Sequence, residues 1–203
     1  MKRHPAVAVV EFSDIPTGMV ATDAMLKRAP IAVIRSGTIT AGRYLTLIGG
    51  TPASVDESLR AGLDEGGASV LDRLLLPDVH PRVYEAILGW RKPGNAGALA
   101  IVETGTVAAT VRAAEAALKG TPVDLIEIRL ADTGLSGKGV SVYQGTLPDI
   151  EAALDLATRY VDQAGSTLRH RIISRPHQAL IKQIETSTWF GSQTVLDLDG
   201  EVV

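Results

Sequence analysis

Few residues in this chain can carry chemistry, and their spacing argues against most reactions. There are four histidines, His4, His80, His170 and His177, and no cysteine. A helical metal pair needs two histidines three or four positions apart, and no two of these meet that spacing. Without cysteine there is no disulfide, no thiolate nucleophile, no cysteine zinc site and no iron–sulfur cluster. The stretch GLSGKGVS at 134–141 has the outline of a phosphate loop. That loop needs glycine, four residues, then Gly-Lys-Ser/Thr between a strand and a helix. Here Asp132 stands where the first glycine belongs, Gly139 follows the lysine, and the segment lies between two strands. Asp197, Asp199 and Glu201 alternate, but a calcium loop needs more ligands at fixed spacing, so they read as a solvated tail. Glu11 and Glu103 end equivalent strands in different lobes, so nothing joins them for acid–base work. No Ser-His-Asp spacing stands out. The expectation is a protein that is not an enzyme, with no metal and no cofactor.

The elements that must position these residues occur twice. DAMLKRAP at 23–30 returns as EAALKGTP at 115–122, and AVAVVE at 6–11 returns as ALAIVE at 98–103, both 92 positions on. After the proline the offset becomes 95: Gly42 matches Gly137, Gly50 matches Gly145, and VDESLRAGL at 55–63 matches IEAALDLAT at 150–158. A change of three is what an insertion in one loop produces. The period suits a duplicated domain rather than a solenoid unit.

Within the first copy the pattern predicts a buried strand over 5–12, a helix over 15–28 stopped by Pro30, and a strand over 31–36. A small-residue turn follows at 38–42, then a strand over 43–50, a helix over 53–65 and a strand over 68–76. This β-α-β-β-α-β order is the split βαβ, ferredoxin-like arrangement, an α+β fold with two helices on one face of an antiparallel sheet. A short helix is expected at 80–88, with its counterpart at 177–185, and a short strand at 193–198. The boundaries read as a first domain over 1–90, a linker over 91–96, a second domain over 97–177 and a C-terminal extension over 178–203.

Composition narrows the class. Apolar residues make up 45 % and aromatics 4 %, so the cores are expected to pack small aliphatic side chains. The net charge of −3 and the absence of a basic run leave nucleic acid without a docking surface. The N-terminal apolar run is broken by Glu11 and lacks a cleavage pattern, and no apolar run approaches a membrane span, so the chain reads as soluble and cytosolic, without membrane contact.

Taken together, ALAIVET, AAEAALK, the small turn LSG and IISRPH at 172–177 resemble the bacterial microcompartment shell domain. The likeness spans nearly all of 5–81 and 97–177, so the chain resembles a tandem-domain, non-permuted shell protein. That resemblance implies a homotrimer whose six domains form a pseudo-hexameric tile in the microcompartment shell, packed edge to edge with other shell tiles. It implies a central pore, crossed by small metabolites and lined by Thr40, Ala41 and Gly42 of the first copy and Leu135, Ser136 and Gly137 of the second. Arg43 and Lys138, just after these turns, are expected as cations at the pore rim, favouring anionic or polar metabolites. Lys27, Lys119 and Arg175 are the implied tile-edge contacts, with Val79 standing where the first copy's arginine belongs. A small-molecule sensor built from paired ferredoxin-like domains is the alternative reading.

Overall fold

The computed structural model describes residues 6–94, 97–198 and 200. The first domain runs β1 (Ala6–Phe12), α1 (Ile15–Arg28), β2 (Val33–Ile39), β3 (Arg43–Gly50), α2 (Pro52–Gly66), β4 (Val70–Leu76) and α3 (Pro81–Ile87). The second repeats it as β5 (Ala98–Thr104), α4 (Val107–Gly120), β6 (Asp124–Leu130), β7 (Gly139–Gly145), α5 (Leu147–Gln163), β8 (Leu168–Ile173) and α6 (Gln178–Thr186). Both sheets are antiparallel, ordered β2-β3-β1-β4 and β6-β7-β5-β8. The chain is therefore two tandem, non-permuted α+β domains of one topology.

Local chemistry sets the helix starts. Asp14, Thr51, Thr106 and Thr146 each accept a hydrogen bond from a backbone N–H three residues on, relieving one orphan donor of α1, α2, α4 and α5. Proline in the first turn of α1, α2 and α5 has no N–H to waste there.

The central strand β1 is buried along its whole length. Ala8, Val10 and Phe12 pack with Ala21 and Met25 of α1 and with Val55 and Leu59 of α2. The opposite face, with Val7, Val9, Leu47 and Leu74, forms one continuous core with Val83 and Ile87 of α3 and with Val107, Val111 and Leu125 of the second domain. The two domains are thus joined through a shared apolar core.

Three element boundaries depart from the pattern. The second strand starts at Val33 and runs on to Ile39, because Thr38 and Ile39 keep pairing with Tyr44 and Arg43. The fourth strand starts at Val70, after a 3₁₀ turn at Gly67–Ser69 in which Gly67 takes a φ of 48°. No strand forms at 193–198: the segment pairs with neither sheet, Val195 is 94 % exposed, and the segment lies along α6, with Gln183 Nε2 donating to the Thr194 carbonyl.

Helices α1 and α2 cross closely at Gly62, where an added Cβ would stand 2.5 Å from Cγ of the fully buried Met25. Gly62→Leu is therefore expected to lower unfolding free energy by about 1–3 kcal/mol through overpacking. Urea denaturation checks this; wild-type stability would show that the two helices can part freely.

Candidate functional site: two turns at the end of the domain joint

The turn between β2 and β3 is short, three residues at 40–42, and the one between β6 and β7 is longer, eight residues at 131–138. Both end in the same backbone shape. Ala41 and Gly42 have φ of 66° and 68°, and Ser136 and Gly137 have φ of 50° and 83°. Two successive left-handed residues tolerate little beyond glycine and small side chains, which explains the composition of both turns. Thr40 ties them together. Its Oγ1 donates to the Ala131 carbonyl at 2.7 Å and accepts from Gly137 N at 2.9 Å, while its N–H donates to the same carbonyl at 3.0 Å. Thr40, Ala41, Gly42, Leu135, Ser136 and Gly137, expected from sequence as one lining, thus lie in two adjacent turns. Ala41, Gly42 and Ser136 are exposed.

Behind the turns lies a buried charge cluster. Glu11, at 0 % exposure, accepts from Arg43 Nη1 at 2.9 Å and from Val107 N, at the start of α4, at 2.7 Å. Arg43 also reaches the carbonyls of Gly137 at 2.9 Å and Gly105 at 3.3 Å. Burial pushes the Glu11 carboxyl above its ordinary range, against the opposing pull of the Val107 N–H and of Arg43. The second domain repeats the pair in the open: Lys138 Nζ stands 2.9 Å from Glu103 Oε1, both partly exposed. Arg43 and Lys138, the cations expected beside the turns, are thus each paired with an acid. Arg43 is turned into the joint and neutralised by Glu11, and Lys138 is neutralised by Glu103.

Helix α4 lies along the joint. It has 14 residues and so spans about 21 Å. Near its start Thr106 Oγ1 donates to Asp72, and Arg112 reaches Asp72 at 3.8 Å and the Arg73 carbonyl at 2.9 Å. Near its end Glu115 accepts from His80 N at 3.0 Å, and Lys119 pairs with Glu115 at 2.8 Å and donates to the Asp78 carbonyl. Lys119 therefore sits at the end of the joint remote from the turns. Lys27, at the matching place on α1, is exposed and pairs with Asp23. Arg175 is exposed just after β8.

Strand register corrects one alignment. Val7 pairs with Leu76 and Leu99 with Ile173, so the counterpart of Arg175 is Asp78; Val79 matches Pro176 instead. The shift arises because α5 is two residues longer than α2.

His80 and His177 stand at equivalent places after the fourth strand of each domain. Each caps the helix that follows: His80 Nδ1 accepts from Arg82 N and His177 Nδ1 from Ala179 N, both at 3.2 Å. The 134–141 loop has its N–H groups committed to protein acceptors at Leu135, Gly137 and Lys138. Of the alternating acids only Asp197 lies among the described residues; Asp199, Glu201 and His4 lie outside them. Among the described residues no group of three or more His, Asp or Glu could hold a metal ion, and no helix is long and apolar enough to cross a membrane. The Glu11–Arg43 contact and the Asp72–Thr106 contact were missed from sequence; a lone acid ending an otherwise apolar buried strand was the available signal for the first.

A model of the BMC domain matches residues 6–79 and again 98–176. The bacterial microcompartment shell protein PduT of Citrobacter freundii is 34 % identical over 179 residues, covering 88 % of this chain and 97 % of that one. The carboxysome assembly protein CcmO of Synechococcus elongatus is 25 % identical over 192 residues, covering 88 % of this chain and 68 % of its own. Among solved structures, a microcompartment protein of Desulfitobacterium hafniense aligns with a TM-score of 0.76 at 33 % identity, over 89 % of this chain and 99 % of that one. A fused permuted hexameric shell protein from the RMM microcompartment shares the fold, with a TM-score of 0.60 at 18 % identity over 81 % of this chain and 84 % of its own.

Two predictions follow from this cluster and its turns. The raised pKa of Glu11 means that the folded chain binds the proton more tightly than the unfolded one. The stability Glu11 contributes is full below the unfolded value of 4.5 and falls as pH rises through the higher folded value. Urea unfolding between about pH 4 and about pH 7.5 should show wild type losing stability relative to Glu11→Gln, which cannot titrate; a relative gain would refute this. In the turns, Gly42→Ala has open space and loses only the left-handed preference, about 1 kcal/mol. Gly137→Ala should cost more, because its Cβ would stand 2.8 Å from the Arg43 guanidinium carbon. Equal melting temperatures for the two variants would contradict that ordering.

Proposed function

The chain belongs to the BMC-domain family of bacterial microcompartment shell proteins, and from that premise we propose that three copies close into a pseudo-hexameric tile with a central pore. Its role is structural, in the shell of a bacterial microcompartment. The observation that carries the tile is the direction of the joint. Both small-residue turns gather at one end of α4, and Lys119 stands at the other, about 21 Å away. Three such chains set side by side bring six turns to the centre and leave the lysine ends at the perimeter.

In this reading Thr40, Ala41, Gly42, Leu135, Ser136 and Gly137 line the pore. Because Glu11 and Glu103 neutralise Arg43 and Lys138, the lining offers a hydroxyl and turn backbone rather than strong positive charge. Small polar metabolites suit such a passage. Lys27, Arg175 and the outer end of Lys119 meet neighbouring tiles, where a long apolar stem packs flat and the ammonium reaches carbonyls across the seam. Many weak edge contacts then sum over a sheet. No catalytic step is assigned to the chain.

Light scattering at micromolar concentration should give three times the 21.4 kDa chain mass, and overexpressed protein should form sheets or tubes under negative stain. A monomer or dimer would overturn the tile. Lys27→Ala removes an exposed pair worth under about 1 kcal/mol and should keep the trimer while abolishing sheets. Lys119→Ala should also lower the melting temperature, because it loosens the joint. Normal sheets from a folded Lys27→Ala protein would remove Lys27 from the edge.

A further inference from the structure

The second domain carries three features that the first lacks, and they are bonded to one another. One is the long turn at 131–138. Another is the extension beyond α6; after α3 the chain instead passes straight onto the second sheet, with Lys92 N donating to the Ile126 carbonyl. The third is a pair of charged side chains on β6, Glu127 and Arg129, buried at 6 % and 8 % exposure. Strand pairing puts Arg35 and Gly37 at their places in the first domain: Glu127 lies opposite Val142 as Arg35 does opposite Leu47, and Arg129 opposite Val140 as Gly37 does opposite Leu45. A Cβ added at Gly37 would meet nothing within 4 Å, so lack of room does not explain the difference. A register shift between Leu125 and Glu127 turns both Ile126 and Glu127 towards α6, where Ile126 packs with Ile184.

Glu127 holds the extension. It accepts from Ser187 Oγ and from Thr188 N, each at 3.1 Å, and is ion-paired with Arg91, which also donates to the Ile184 carbonyl at the end of α6. Arg129 faces two ways. Its Nη1 donates to Thr188 Oγ1 at 3.4 Å. Its Nε and Nη2 grip the two oxygens of Asp132, and Nη2 also donates to the Thr133 carbonyl at 2.7 Å. Asp132 and Thr133 begin the long turn. Just before them Ala131 takes a φ of 51° and gives its carbonyl to Thr40. A left-handed alanine persists only where neighbours over-determine it, and the grip of Arg129 on the next two residues does so. The planar fork of a guanidinium can serve both segments at once, which a lysine could not. Thr188 also helps to shield the Arg129–Asp132 pair; an exposed pair of this kind is screened by water and holds weakly.

We infer that the C-terminal extension sets the conformation of the long turn, with Arg129 as the positioning residue that joins them. Seated on Glu127, the extension keeps Arg129 buried and its hold on Asp132 and Thr133 strong. Drawn off the sheet, it uncovers the guanidinium and loosens the foot of the turn. Only the consequence for a pore rests on the tile proposed above: there, the extension controls the three long turns of the opening and leaves the three short ones alone.

Hydrogen–deuterium exchange on the full chain tests the coupling. Ser187→Ala with Thr188→Val removes both hydroxyls at a site more than 45 positions from the turn. Exchange of the extension's own amides should rise, and that of the bonded turn amides Leu135 and Lys138 should rise with it, by about fivefold or more. Coupling is reciprocal, so Asp132→Ala, a change in the turn, should speed exchange at Thr188 and Gln193 by a similar factor. Amides of β5 should exchange as in wild type in both variants. Turn exchange that stays at the wild-type rate, extension amides that ignore Asp132→Ala, or a rise shared equally by β5 would each overturn the inference. The readout does not depend on association: a chain that never trimerises removes the tile and leaves the coupling to be judged on exchange alone.

Discussion

Burial of the Glu11 carboxylate between the two domains is the constraint on which the rest of the molecule depends. Removing an ionised carboxylate from water costs several kcal/mol, and strong partners of good geometry offset it in part, leaving the Glu11 carboxyl above its ordinary range. Here they come from two domains: the guanidinium of Arg43 from the first, and from the second the Val107 N–H, at the positive end of α4. The two contacts together fix the angle of α4 against β1. Any rotation of one domain on the other separates the carboxylate from at least one partner. Apolar contact between Val7, Val9 and Val111 supplies the bulk of the attraction, but such contact is non-directional. The polar cluster selects one arrangement among the many a greasy face would accept.

The turn geometry inherits this constraint. Arg43 is held on one side by Glu11, and its planar, multiply donating head reaches two further carbonyls, those of Gly105 and Gly137. A lysine in its place would offer a single point charge. Lys138, at the equivalent position of the second domain, serves an exposed pair, where a point charge is adequate. The duplication has thus produced two residues with the same neighbour and different duties. The difference follows from which seam is closed within the chain.

Much of the fold was legible in the sequence, because its signals are local or repeated. The β-branched run at 6–12, the stops at Pro30 and the double glycine at 49–50, and the internal repeat all report elements directly. The turns at 40–42 and 135–137 were legible for the same reason, since small residues mark a backbone that bulky ones cannot adopt. What stayed hidden depends on contacts across the joint. Nothing near Arg43 in sequence says that Glu11, 32 positions away, will neutralise it, or that the Gly137 carbonyl, 94 positions away, will receive it. The Asp78–Arg175 equivalence was obscured by two extra residues in α5 and is fixed by strand pairing. At 193–198 a short strand was expected from sequence. A strand needs a neighbouring edge as well as a pattern, and this segment lies along α6 instead, with the Thr194 carbonyl held by Gln183.

Fusion of two domains also changes what a ring opening can be. Six identical chains present six identical turns. In the proposed ring of three tandem chains, short and long turns alternate, so the opening has threefold rather than sixfold symmetry. The long turn carries its own bonds, from Leu135 N to the Asp132 carbonyl and from Lys138 N to the Leu135 carbonyl, and takes its left-handed anchor from Thr40 of the short one. The short turn in turn leans on the Ala131 carbonyl of the second domain. Within one chain neither turn is independent, so the two turns brace one another. Ala41 and Ser136 occupy backbone conformations that are unfavourable for side-chain-bearing residues, and such strain persists only where surrounding contacts over-determine it. The cross-domain bonds of Thr40 and Arg43 are those contacts, which is why the buried cluster and the two turns form a single structural unit.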